Sequence, residues 1–123
     1  WGVYSVGEGS MIISKKLRES AGHHDAHCML QIQGVCGDST TAKTAGNVLC
    51  HIRFAGNAGG AQKPDDICAT FGCGPCHTAF DSNGTTKGLV RGSQEWLHYA
   101  FTGMTKTQKW WRDHGFITIK GDR

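Results

Sequence analysis

The segment Phe71-Gly72-Cys73-Gly74-Pro75-Cys76-His77-Thr78-Ala79-Phe80-Asp81 decides how this chain is read. It places two thiols at chelating spacing, and a His and an Asp follow at positions i and i+4. On a helix, such a pair shares one face. Three chemistries use a core of this kind: thiol redox exchange, c-type haem attachment and metal binding.

Redox exchange needs a low-pKa thiolate at a helix N-terminus inside a βαβ unit. Cys-Gly-Pro-Cys matches that core, but no clear parallel strand and long helix surround it. Four other cysteines, Cys28, Cys36, Cys50 and Cys68, would go unexplained. Haem attachment would use Cys73, Cys76 and His77, and it requires a second axial ligand that nothing singles out. Metal binding has more to draw on, because seven histidines accompany six unevenly spaced cysteines. Cys28 with Cys36 and Cys73 with Cys76 can pinch one zinc, which prefers four soft ligands in a tetrahedron.

A length of 123 residues suits one domain. The formal net charge of +3 permits a polyanionic partner without demanding one. No apolar run approaches the roughly 18 residues of a membrane-spanning helix, so no membrane partner is expected. Trp1 to Met11 lacks the basic start and apolar stretch of a secretory signal. Gly9-Ser10-Met11 looks like a cloning scar before a start codon. Residues 1–10 therefore read as an N-terminal extension, partly vector-derived, and 11–123 as a single domain.

Ser14 to Ser20 predicts a short helix capped by Ser14. Cys28 to Cys36 predicts a strand and turn, and 37–46 a polar loop. Asn47 to Phe54 is the strongest strand signal, with Val48, Cys50, Ile52 and Phe54 on one face and Leu49, His51 and Arg53 on the other. Residues 56–64 predict a glycine-rich loop, and 65–71 a short connection. Cys76 to Asp81 predicts a helix ended by Asn83-Gly84. Ser93 would cap a helix over 94–101, and Thr105 another over 106–114 stopped by Gly115. Residues 116–120 predict a last strand.

The ordered set Cys…Cys, Leu49-Cys50-His51-Ile52, a glycine-rich stretch and Cys73-x-x-Cys76-His77 resembles HNH endonucleases of the His-Me finger class. It looks most similar to the YbcO-like branch of lambdoid phages and prophages. That likeness runs over about residues 14–119, through Ser14-Lys-Lys-Leu-Arg-Glu-Ser20, Val48-Leu-Cys-His-Ile-Arg53, Gln62-Lys-Pro-Asp-Asp66, Cys73-Gly-Pro-Cys-His77 with Asp81, and Gly103-Met-Thr-Lys-Thr-Gln108.

The resemblance implies an α+β fold: a small zinc-stabilised ββα-metal core with flanking helices. It implies His51 as general base; Arg53, on the same strand face, is a candidate to clamp the phosphate. It implies Cys28, Cys36, Cys73 and Cys76 around a structural Zn²⁺, and His77 with Asp81 as ligands of a catalytic Mg²⁺ or Mn²⁺. The function it implies is metal-dependent hydrolysis of phosphodiester bonds in nucleic acid, DNA foremost, in the cytoplasm of a bacterial host. A homodimer is compatible with it. Lys63, Lys87, Arg91, Lys106, Lys109 and Arg112 are candidates for backbone phosphates, and Trp110-Trp111 for base stacking.

The sequence departs from the HNH pattern in three places. Cys50 stands where many such enzymes carry a His or Asp, and alternation turns it away from His51 into the core. The central Asn of the motif falls near Asp65 or Asp66. Asp81 replaces a final His, which favours harder ions. Two other readings stay open: a non-catalytic zinc module that binds nucleic acid or a recombination partner, and a thiol-redox protein.

Overall fold

The computed structural model describes residues 13–36, 46–53, 65–82 and 89–121. Lys63 and Lys87, the 56–64 loop, Phe54 and Asn83-Gly84 lie outside them. The element order is α1 (Lys15–Ser20), β1 (Asn47–His51), β2 (Ala69–Cys73), α2 (Gly74–Asp81) and α3 (Gln94–Asp113). This is a small α+β fold with one two-stranded sheet.

α1 begins as its cap residue dictates: Ser14 is extended, and its hydroxyl accepts the Leu17 N–H at 3.2 Å. β1 and β2 pair antiparallel, with Leu49 opposite Phe71 and His51 opposite Ala69. β2 is a correction to the connection expected over 65–71. Its residues, Ala-Thr-Phe-Gly-Cys, are buried along the whole strand, so no polar alternation marks it. α2 starts directly from Cys73, with Pro75 in its first turn, where a missing N–H costs nothing. The result is a strand–strand–helix unit.

β2 exposes no free edge at its centre. The Phe71 N–H donates to Thr107 Oγ1 on α3 at 3.1 Å, and the Phe71 carbonyl accepts the Met29 N–H at 2.9 Å. A helix and a loop thus cover the outward groups of a two-stranded sheet. Strand alternation sends Cys50 into one apolar cluster with Leu30, Ile52, Phe80 and Trp96. It sends Leu49 and Phe71 toward the other, with Leu17, Trp110 and Trp111. Cys50 is a core residue, as its strand position predicts.

α3 is one helix of 20 residues, where two were expected. Its buried positions, Trp96, Ala100, Gly103, Thr107, Trp110 and Trp111, form one continuous stripe. Gly103 does not stop the helix; it lets the helix approach β2. A Cβ there would lie 2.5 Å from Thr70 Oγ1. Thr105 does not cap a new helix either, because its hydroxyl donates to the Phe101 carbonyl at 2.8 Å. Both Trp110 and Trp111 are buried, which removes them as base-stacking platforms.

The last expected strand, 116–120, is absent. α3 ends in a Schellman turn: Gly115 takes φ +76°, its N–H reaches the Arg112 carbonyl, and the Phe116 N–H reaches that of Trp111. This folds Phe116 and Ile117 back onto the Leu17–Trp111 cluster. The strand expected over 28–36 is also a correction, since the segment is turn and coil. Gln31 and Gly34 both have positive φ there, which bends the backbone around its thiols.

Candidate active site and metal centre

The bend over 28–36 brings Cys28 and Cys36 to Cys73 and Cys76. All four Sγ atoms lie within 4.8 Å of one another, and Cys36 Sγ is 3.9 Å from Cys73 Sγ. Tetrahedral zinc with bonds of about 2.3 Å sets its sulfurs about 3.8 Å apart. Backbone amides face the sulfurs: Gln31 N–H to Cys28 Sγ at 3.3 Å and Ile32 N–H to Cys76 Sγ at 3.4 Å. Such bonds orient and stabilise thiolate ligands. All six described cysteines are free thiols.

The thiols cannot all ionise unaided. A hydrogen bond from Cys76 holds Cys28 down to about 5, while burial and the neighbouring Cys28 charge push Cys36 up to about 12. Giving its proton to Cys28, and being buried, also drives Cys76 upward. A divalent cation is what lets four neighbouring thiolates coexist. The set can hold a metal ion such as zinc. Cys50, pushed up by burial, stands outside it.

His51 closes β1 with its side chain 17 % exposed. Its Nε2 lies 2.8 Å from Oδ1 of Asp66, which is buried. The other Asp66 oxygen accepts the Arg18 Nε–H at 2.9 Å and the Ser14 N–H at 2.6 Å. Burial alone would push this carboxyl up. The Ser14 amide, His51 and Arg18 outweigh burial and hold it below the usual carboxylate range. An ionised Asp66 accepts from Nε2–H, which leaves the lone pair of the neutral ring on Nδ1. Between Asp65 and Asp66, the pairing partner of His51 is Asp66.

On α2, His77 Nε2 and Asp81 Oδ2 are 3.2 Å apart, both about two-fifths exposed. The Asp81 hydrogen bond raises the His77 pKa. The His77 hydrogen bond, then the charges of Arg53 and Arg91, lower that of Asp81. The electrostatic reach of Arg53, two residues beyond His51, ties the end of β1 to this face of α2. At this separation the two side chains form an i,i+4 ion pair, and both ligand atoms could also reach one ion.

Four of the basic candidates, Arg91, Lys106, Lys109 and Arg112, lie among the described residues. Arg91 reaches the Asp81 carbonyl at 3.5 Å. Lys106 and Lys109 are exposed on α3 and line a shallow concavity with His27 and Trp110. Arg112 is engaged by Asp113 at 2.7 Å. No helix among the described residues is long and apolar enough to cross a membrane.

The sequence model of one protein family, described as "Putative nuclease YbcO", matches residues 15–116. The chain belongs to that family. Two relatives of the same name, from Escherichia coli K12 and from Enterobacteria phage 82, are each 34 % identical over 90 residues. Those alignments cover 73 % of this chain and 85 % of each relative. A solved structure described as a "putative bacteriophage protein" from Escherichia coli K-12 superposes with TM-score 0.57 at 31 % identity, covering 81 % of this chain and 99 % of that one. The YbcO match spans the four cysteines, His51, Asp66, His77 and Asp81.

Proposed function

We propose that this member of the YbcO family is a metal-dependent endonuclease of the HNH, His-Me finger, class, acting on phosphodiester bonds of nucleic acid, DNA foremost. The observation that carries the reading is the His51–Asp66 pair at 2.8 Å, with the Arg53-linked face of α2 beside it. His51 Nδ1 takes a proton from water, whose oxygen attacks phosphorus in line as the P–O3′ bond opposite breaks, and the departing 3′-oxygen takes up a proton from solvent. Asp66 holds the ring in the tautomer that makes Nδ1 basic, and it stabilises the imidazolium that forms. Arg53 clamps the phosphate. A Mg²⁺ or Mn²⁺ ion at His77 and Asp81 supplies electrostatic stabilisation of the phosphate and leaving oxygen when bound.

The four cysteines hold a structural zinc in this reading. Cys73 ends β2 and Cys76 lies in α2, so clamping them to the 28–36 turn fixes strand and helix in register. The strand–strand–helix unit is then the ββα-metal core. The name shared by the family and its phage and bacterial relatives supports a nucleic-acid substrate, met in the cytoplasm of a bacterial host. Supercoiled plasmid incubated with Mg²⁺ or Mn²⁺ tests the assignment. Cleavage should require the ion and be lost in His77→Ala, while the zinc held by the four cysteines is retained. Plasmid left intact by wild type across divalent ions, with zinc retained, points instead to a non-catalytic zinc module.

A further inference from the structure

A second group of ligating side chains lies outside the proposed nuclease site. After α1 the chain runs His23-His24-Asp25, and ligand atoms of all three lie within 4.8 Å of one another. His114, the C-cap of α3, joins them. Its Nε2 is 3.6 Å from Asp25 Oδ2, and His24 Nε2 is 3.7 Å from the same oxygen.

The His114 tautomer is set by its other nitrogen, which lies 3.0 Å from the Trp110 carbonyl. A carbonyl only accepts, so Nδ1 carries the proton of the neutral ring and Nε2 the lone pair. Two acceptors, an imidazole nitrogen and a carboxylate oxygen, thus face each other with a second imidazole alongside. A proton on Nε2 or a metal ion would pair these acceptors, and the second imidazole beside Asp25 gives a metal ion a further ligand. Metal-ligating histidines commonly donate their other N–H to a backbone carbonyl, as His114 does.

The ring packing pre-sets this arrangement. His114 stacks on Trp110 at 3.9 Å, and His23 stacks on His24 at 4.3 Å while meeting Trp110 and His114 edge-on. His23 Nδ1 accepts the Asp25 N–H at 3.0 Å, so His23 shapes the turn and is not needed as a ligand.

We propose that His24, Asp25 and His114 form a surface site for a divalent transition-metal ion, tying the turn after α1 to the C-terminus of α3. Two imidazoles and one carboxylate suit Zn²⁺, Ni²⁺ or Cu²⁺ and not Mg²⁺. With bonds of about 2.0–2.2 Å, ligand atoms on such an ion lie about 3.3–3.6 Å apart. The two separations to Asp25 Oδ2, 3.6 and 3.7 Å, are already close to this, and His24, whose side chain is 83 % exposed, is free to swing toward His114 around an ion.

The test is titration of Ni²⁺ into protein whose cysteine site is already filled with zinc. A His77→Ala background silences the α2 pair. Calorimetry should show one equivalent of Ni²⁺ at micromolar affinity. Trp110 fluorescence should be quenched, because the ion sits one ring away. His24→Ala and Asp25→Asn should each weaken binding by more than about tenfold. His24 is exposed enough that its loss leaves thermal unfolding of the Ni²⁺-free protein unchanged. Equal affinity in the parent and both variants overturns the site, as does a parent that binds Ni²⁺ only at millimolar concentration. Neither readout depends on nuclease activity.

Discussion

Asp66 is buried to 1 % of its surface and is held as a carboxylate by a backbone amide, an imidazole and a guanidinium. Its pKa is lowered on folding. Such a group contributes stability that is fully present above its unfolded value, near pH 4, and is lost as pH falls through the lower folded value. Asp66→Asn should flatten that acid limb in denaturation curves measured from pH 6 downward. It should also cost about 2–3 kcal/mol at neutral pH, because three donors lose a charged acceptor. An acid limb unchanged in the variant would assign the pH dependence to other carboxylates. The pairing with His51 was not legible in the sequence. Asp65 and Asp66 are adjacent and chemically equal, and only the packing of β1 against the 65–68 turn chooses between them. The His77–Asp81 pair was legible, because helical spacing alone puts i and i+4 on one face.

At the scale of elements, α3 lies on β2 through Gly103. Thr70, which a Cβ at 103 would strike, is fully buried, and its hydroxyl is bound by Thr107 and to the Phe71 carbonyl. It cannot step aside. Gly→Ala in a helix interior normally gains up to about 1 kcal/mol. Here the clash should win, and Gly103→Ala should destabilise by about 1–3 kcal/mol in urea unfolding. Stabilisation by that substitution would contradict the close approach. Helix starts at Ser14 and Ser93 and the stop at Gly115 were readable, since caps are local chemistry. β2 was not, because a strand buried on both faces carries no alternation. The continuity of α3 was not either, because Gly103 and Thr105 look like punctuation until Thr70 is seen beneath them.

For the whole molecule, the four cysteines join two parts of the chain that are distant in sequence, the 28–36 turn and the 73–76 junction of β2 and α2. A domain of 123 residues has little core to spare, so the clamp should matter. Removing zinc with a chelator should lower the melting temperature by more than about 10 °C, and Cys73→Ser should do the same without chelator. Native thiol titration of zinc-loaded protein should leave Cys50 and Cys68 outside the metal set, with Cys50 slow because it is buried. Four thiols reacting at once in the loaded protein would contradict the clamp. The cysteine set was legible in the chain because thiols have few other uses at this spacing. The turn that delivers Cys28 and Cys36 was not, since it depends on positive φ at Gln31 and Gly34.

In the proposed reaction His51, poised by Asp66, is the base of a phosphodiesterase, and the zinc clamp takes no part in the chemistry. Single-turnover cleavage of duplex DNA, with zinc content measured on the same samples, tests it most directly. His51→Ala should fall by about 10²–10⁴-fold with the cysteine-bound zinc retained. Cleavage by His51→Ala at the wild-type rate, with zinc unchanged, would contradict the account.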